Sequence, residues 1–273
     1  MQEKIKIRSL QTAEEYRACQ ELQMKVWGLP ELEVLPYHQA LTAVLNGGML
    51  LGAYDGEKLV GFCYGFVGLD EAGDTIICSH MLAVLPDYRG QGIGYQLKLA
   101  QREKALSRGI KTMTWTYDPM EAANAYLNIH RLGGVVRHYY VNHYGEMPDK
   151  LNQGIPSDRL LLEWYLDSKR VRAILEKRFP PISGEARKVL FLQHSPHGPE
   201  PGGIDLEAAE NNLLVEIPSN FQVLKKEAFP LALRWRLEVR KAMLHYLSRG
   251  YRVEDVLRRD REKIAYVLVK GEE

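Results

Sequence analysis

The chain has 273 residues, 45% of them hydrophobic and 26% charged, enough to build a core for one large domain or for two smaller ones. A formal net charge of +1 supplies no overall field for nucleic acid or a membrane surface, so any anion must be recognised by local groups. No apolar run approaches the about 20 residues of a membrane span, MQEKIKIRSL at the N-terminus has no apolar signal core, and Cys19, Cys63 and Cys78 form no C-x-x-C pair. The expectation is a cytoplasmic protein with buried free thiols, no metal, and neither nucleic acid nor membrane as partner.

Residues 4–8 alternate as a short strand, and Thr12 with Glu15 three residues on predicts a capping box opening a helix to residue 26. Pro36 opens a second helix through Leu45, stopped by Asn46, Gly47 and Gly48. Residues 49–54 and 58–67 read as strands joined by an Asp55-Gly56 turn. A fourth strand covers 75–84, an amphipathic helix 92–107, and a fifth strand 111–117 ends at Asp118-Pro119. A helix over 121–132 closes at Gly133-Gly134, before a strand over 135–141. Beyond Gly145 the pattern predicts a strand at 159–166, a short helix at 170–177, a Pro/Gly/His-rich loop at 194–203, and a strand at 213–217. A strong helix at 231–248 and a terminal hairpin, 251–256 with 264–269, complete the chain.

The stretch MLAVLPDYRGQGIG carries the chemistry. Its apolar strand stops at Pro86 and Asp87, and Arg89, Gly92 and Gly94 then fall on the spacing R-x-x-G-x-G at a helix start. Gly90 and Gly92 let backbone approach a ligand without Cβ interference, and the helix offers unpaired amides and the positive end of its dipole. That combination is a pyrophosphate cradle. A dinucleotide fold would need G-x-G-x-x-G directly after the strand, and a P-loop G-x-x-x-x-G-K-[ST]; neither is present.

At these residues the chain resembles the GNAT superfamily of acyl-CoA-dependent N-acyltransferases, whose signature is Q/R-x-x-G-x-G/A where the fourth strand meets the third helix. Arg89, Gln91, Gly92, Ile93 and Gly94 match that signature, and Leu82, Ala83 and Val84 match the strand before it. The order β-α-α-β-β-β-α-β-α-β over the first 145 residues also matches. Ser79-His80-Met81, Asn124-Ala125-Tyr126 and Leu132-Gly133 further resemble a group of long GNAT proteins of this length. The resemblance implies an α/β (α+β) fold, with a mixed, mostly antiparallel twisted sheet flanked by helices and an α/β C-terminal extension. Expected domains are residues 1–148, binding acyl-CoA, and 149–273, packed on the first and helping to form the acceptor pocket.

The implied reaction is direct attack of an amine on the thioester of acetyl-CoA or succinyl-CoA, with a small metabolite such as an amino acid as acceptor. The cradle from Arg89 and Gly90 to Gly94 would take the pyrophosphate, the backbone amide near Leu82 would polarise the thioester carbonyl, and Asn124 would reach the pantetheine amides. Relatives place a carboxylate base where Cys78 stands here. His80, two residues on and on the same sheet face, is the first candidate base; the competing reading is a buried histidine hydrogen-bonded across the sheet. His38, His130 and His138 have no better spacing. The family's usual acid, a tyrosine four residues before the helix-ending glycine, is replaced by Ile129, which leaves Tyr126 one turn away. Tyr139, Tyr140 and Tyr144 form an aromatic cluster, read as packing or as an acceptor pocket lining. Arg234, Arg236 and Arg240 around Trp235 read as a solvated helix face before a carboxylate grip. His194 and His197 read as loop rather than metal ligands. A non-catalytic acyl-CoA-binding or regulatory module stays open as the second class, and so does the oligomeric state, a homodimer included.

Overall fold

A computed structural model describes residues 5–147, 149, 152–179, 185–196, 198–258 and 260–271. Lys4 and His197 of the readings above lie outside the described residues. The chain divides into two compact units: Met1–Trp115 with Pro148–Leu151 and Tyr165–Asp167, and Thr116–Met147 with Asn152–Trp164 and Ser168–Glu273.

In the first unit, β1 (Lys6–Ser9) leads to α1 (Ala13–Trp27), where Thr12 and Glu15 form the expected reciprocal capping box. Pro36 caps α2 (Tyr37–Leu45), and β2 (Met49–Asp55), β3 (Lys58–Leu69) and β4 (Thr75–Val84) follow as an antiparallel meander with β1 on the edge of β2. Next come α3 (Ile93–Leu106) and β5 (Thr112–Tyr117), which pairs parallel to β4. Period-2 alternation splits the core in two. Leu50, Phe62, Tyr64 and Ala83 pack with Tyr16, Cys19, Leu22 and Ala40 of α1 and α2, while Leu51, Ala53 and Cys63 pack with Ile93 and Leu97 of α3.

In the second unit, the helix expected over 121–132 is α4 (Ala122–Ala125) continued by a π-helical turn at Tyr126–Arg131. Then come β6 (Val135–Tyr140), β7 (Arg159–Tyr165), α5 (Lys169–Leu175), β8 (Ala186–Ser195), β9 (Gly198–Ile204), β10 (Asn212–Pro218), α6 (Phe221–Glu227), α7 (Phe229–Ser248), β11 (Tyr251–Leu257) and β12 (Lys263–Lys270). The strand order is β7-β6-β11-β12-β10-β8-β9, with β10 and β8 the one parallel pair among these. Within this unit β6 joins β11 and also packs against α7.

Two expectations need correction. The loop read at 194–203 is paired strand on both sides, the end of β8 at His194 and Ser195 and β9 from Gly198: Pro199 and Pro201 sit on β9, an edge strand where the N–H that proline lacks costs no ladder bond on the open side. Cys78 is half-buried rather than buried, whereas Cys19 and Cys63 are buried; all three are free thiols. Among the described residues, no helix is long and apolar enough to cross a membrane.

Candidate active site

The turn between β4 and α3 is held by bonds to β2, to β3 and to the end of β4 itself. The Leu85 amide donates to the Val60 carbonyl at 2.9 Å, the Tyr88 hydroxyl to Asp55 Oδ2 at 2.8 Å, and Arg89 Nε to the Val84 carbonyl at 3.2 Å. Gly90 and Gly92 both have φ of 77°, and Gly92 is the N-cap of α3. A Cβ at either position would meet nothing within 4 Å, so glycine serves here for the left-handed backbone and for open approach. Gly94 lies inside the first turn of α3. Among the described residues the amides of Gly90, Gln91, Gly92, Ile93 and Gly94 have no backbone hydrogen-bond partner. Ile93, 2% exposed, anchors the helix start in the core, so these donors are fixed in place beside the exposed Arg89 guanidinium. Such a turn can hold a phosphate group.

Immediately upstream, β4 is open along one edge. Its parallel pairing with β5 consists of Ile77↔Met113 and Cys78↔Thr114 and goes no further, whereas its pairing with β3 continues to Gly61↔Val84. The β3 register also shifts: Tyr64 faces Met81 and Phe66 faces Cys78, so Ser79 and His80 together oppose the single residue Gly65. This is a β-bulge, a device that re-aims side chains and loosens pairing. Glycine is needed opposite it, since a Cβ on Gly65 would come within 2.9 Å of both Gln101 Nε2 and Ile77.

His80 projects from the bulge on the α1/α2 side, in edge contact with Tyr64 (centroids 6.4 Å apart) and Phe66 (6.0 Å). Its residue surface is exposed, and it has no hydrogen-bond partner among the described residues. The reading of a buried, cross-sheet-bonded histidine is therefore replaced by an accessible one. Desolvation by its aromatic neighbours lowers its pKa below the ordinary 6.5, which keeps the imidazole neutral and able to accept a proton at pH 7.

On the opposite side of the bulge lies a group that the sequence reading missed. Lys98 of α3 is 1% exposed, and its Nζ donates to Ser79 Oγ at 2.7 Å and to Gln101 Oε1 at 3.4 Å. The Ser79 hydroxyl in turn donates to Gln101 Oε1 at 2.7 Å, and the Lys98 amine sits 3.4 Å from the centroid of the Trp115 indole. Burial lowers the lysine pKa to about 7. The available signal was positional: Ile93, Leu97 and Ala105 form the buried stripe of α3, and Lys98 and Gln101 fall on it.

The remaining candidates belong to the second unit. Asn124 is exposed on α4, and Tyr126 opens the π-helical turn, a local irregularity frequent at functional sites. Tyr126 stacks on His130 at 4.7 Å; His130 also stacks on Phe179 and has Nδ1 2.9 Å from Asp255 Oδ1. His130 is thus engaged, while His38 and His138 are exposed. Ile129, at the family's tyrosine position, is fully buried.

The arginine reading is overturned. Arg236 is 1% exposed and grips Asp118 with both terminal nitrogens, at 2.8 and 2.5 Å. Arg240 holds both oxygens of Asp158 at 2.8 Å, and Arg234 meets Glu200. Arg236 and Arg240 are internal ion pairs rather than a solvated face, and their carboxylates come from the chain itself. Tyr139 donates to Asp158 at 2.6 Å, which makes it packing, whereas Tyr140 and Tyr144 are exposed.

Comparison with known proteins bears on this arrangement. The family model described as acetyltransferase (GNAT) family matches residues 10–133. No curated protein matches the chain. Solved structures with a similar fold include the ribosomal-protein-S18-alanine N-acetyltransferase of Escherichia coli (18% identity, TM-score 0.48, covering 60% of this chain and 96% of that one). A GNAT family acetyltransferase from Elizabethkingia anophelis with acetyl-CoA bound shares 21% identity (TM-score 0.43, 60% and 99%). The acetyltransferase of GNAT family from Streptococcus pneumoniae shares 14% (TM-score 0.46, 59% and 98%).

Proposed function

We propose, from the match of residues 10–133 to the acetyltransferase (GNAT) family model, that the protein is an acyltransferase that carries an acetyl or succinyl group from CoA to the amine of a small metabolite such as an amino acid. The observation that carries this reading is the continuity of the open β4 edge past the bulge with the turn of unpaired amides at Gly90–94. In this reading the amides and Arg89 take the CoA pyrophosphate, and the edge from Leu82 to Val84 lies along the pantetheine. The backbone amide near Leu82 polarises the thioester carbonyl. The amine nitrogen attacks that carbonyl carbon, neutral His80 takes the amine proton, and the carbon–sulfur bond breaks to release CoA thiolate. Asn124 meets the pantetheine amides and Tyr126 returns a proton to the thiolate. A thiolate is a fair leaving group, so the tyrosine is the less demanding of these roles.

The carboxylate of an amino-acid acceptor is not assigned to Arg236 or Arg240, which already hold Asp118 and Asp158. The test is thiol release from acetyl-CoA and succinyl-CoA against a panel of free amino acids, other small amines and peptides. Release with a free amine supports the reading. Release with peptides alone moves the acceptor to protein N-termini, and CoA binding without release with any amine returns the chain to a binding module.

A further inference from the structure

The roles proposed above leave Lys98 unused, although its amine occupies a singular place. The last β4–β5 pair is Cys78↔Thr114, so Ser79 and Trp115 are the first residues on each strand beyond it. Lys98 Nζ touches both, by a hydrogen bond of 2.7 Å to Ser79 Oγ and by contact with the Trp115 ring at 3.4 Å. One side chain from α3 therefore fills the point where the two strands part, and its Ser79 partner is half of the bulge that presents His80.

We propose that Lys98 is a positioning residue for acyl transfer: its ammonium, wedged where β4 and β5 diverge, holds the strands apart and pins the bulge that turns His80 outward. This rests on the reading of the β4 edge as the thioester site. As an ammonium, Lys98 has three N–H groups for Ser79, Gln101 and the face of the indole. As a neutral amine it keeps two N–H groups but loses the positive charge, and with it the cation–π attraction to the indole face. Among the described residues the groups that touch it hold no counter-charge: Ser79 on β4, Gln101 on α3 and Trp115 on β5 are uncharged, and the Cys63 thiol on β3 is itself pushed up to about 12 by burial. Its own pKa of about 7 puts the change of state near neutrality.

The test uses the whole chain and Lys98→Met, which keeps an unbranched side chain one atom shorter and removes a buried charge. Turnover should fall by about 10- to 100-fold with little change in acyl-CoA KM, as expected when a reacting geometry loosens. The wild-type rate should also show an alkaline decline centred near pH 7 that the variant lacks. A second readout needs no turnover: Trp115 emission should shift on titration through neutral pH in the wild type, and the shift should vanish in Lys98→Met and in Trp115→Phe. Wild-type turnover and pH profile in folded Lys98→Met would overturn the proposal, as would the absence of a Lys98-dependent emission transition. If Lys98→Met does not fold, Lys98→Gln and the wild-type titration carry the same test. Should the wild type release no thiol with any amine, the acyl-transfer reading fails on its own, and the emission titration still decides whether the wedge changes charge.

Discussion

His80 and Lys98 flank one bulge from opposite faces of β4; partial desolvation of the accessible imidazole and burial of the lysine both favour the neutral base. The consequences for pH differ in range. His80 has a folded pKa below 6.5, so protonation favours the unfolded chain; its contribution to stability is present above about pH 6.5 and is lost as pH falls. As a base it loses activity over the same acidic range, so His80→Gln should lower turnover by roughly 10²-fold and abolish the acidic limb while leaving acyl-CoA affinity in place. Near-normal turnover with an unchanged profile would remove His80 from the site. Lys98 acts on the alkaline side. Its pKa is about 7 in the fold against 10.5 for the free side chain, so the unfolded chain binds more protons between these values and folding stability rises with pH across that window. The full span is worth on the order of 5 kcal/mol at about 1.4 kcal/mol per unit. Urea unfolding of wild type and Lys98→Met at several pH values below 10 should show the wild type gaining on the variant as pH rises, and a constant difference would contradict the buried ammonium.

At the scale of the element, the turn into α3 separates two properties that glycine combines. Gly92→Ala adds a Cβ that meets nothing within 4 Å but must hold φ near 77°, so its effect should be a loss of about 1 to 2 kcal/mol in stability with CoA binding retained. Gly92→Glu carries the same backbone cost and adds a carboxylate beside the unpaired amides, and it should abolish acyl-CoA binding in a folded chain. Gly94→Glu, inside the helix and free of the backbone cost, should do the same. Arg89→Ala removes one charge-assisted contact and should weaken binding by about 1.5 to 3 kcal/mol. Calorimetry with CoA ranks the four, and a Gly92→Glu variant that binds as Gly92→Ala does would remove the phosphate from this turn.

Over the whole molecule, legibility follows how local each determinant is. The β4 strand was read at its observed limits, Thr75–Val84, and α1 with its capping box, because turn residues and short periodicities lie next to the elements they bound. The bulge was not legible: Cys78 and His80 do share a face, but Met81 packs on that side too, and only pairing with β3 shows the extra residue. Nor was β9, whose prolines read as loop until its edge position is known. Lys98 was passed over and Arg236 misread for one reason, since a charged residue on an amphipathic helix suggests solvent until its distant partner is in view. For Arg236 that partner is Asp118, 118 positions earlier, just past the end of β5, with Arg159 3.8 Å from the same carboxylate. A pair this buried joins segments far apart in the chain, and its loss leaves a charge without water. Arg236→Met should therefore cost about 3 kcal/mol, the low end for a broken buried pair, because Asp118 keeps Arg159 at 3.8 Å and the Met120 amide. Pairing it with Asp118→Leu removes both charges, and since apolar replacement of a whole buried pair is often neutral, the double variant should recover much of that loss. The Asp118 carboxylate also accepts from the Met120 amide at 2.7 Å, so recovery should stop short of wild type by about the worth of one hydrogen bond, 0.5 to 1.5 kcal/mol. Urea denaturation of the four proteins in the cycle measures the coupling, and additive single and double effects would mean that the arginine and the carboxylate stabilise the fold separately.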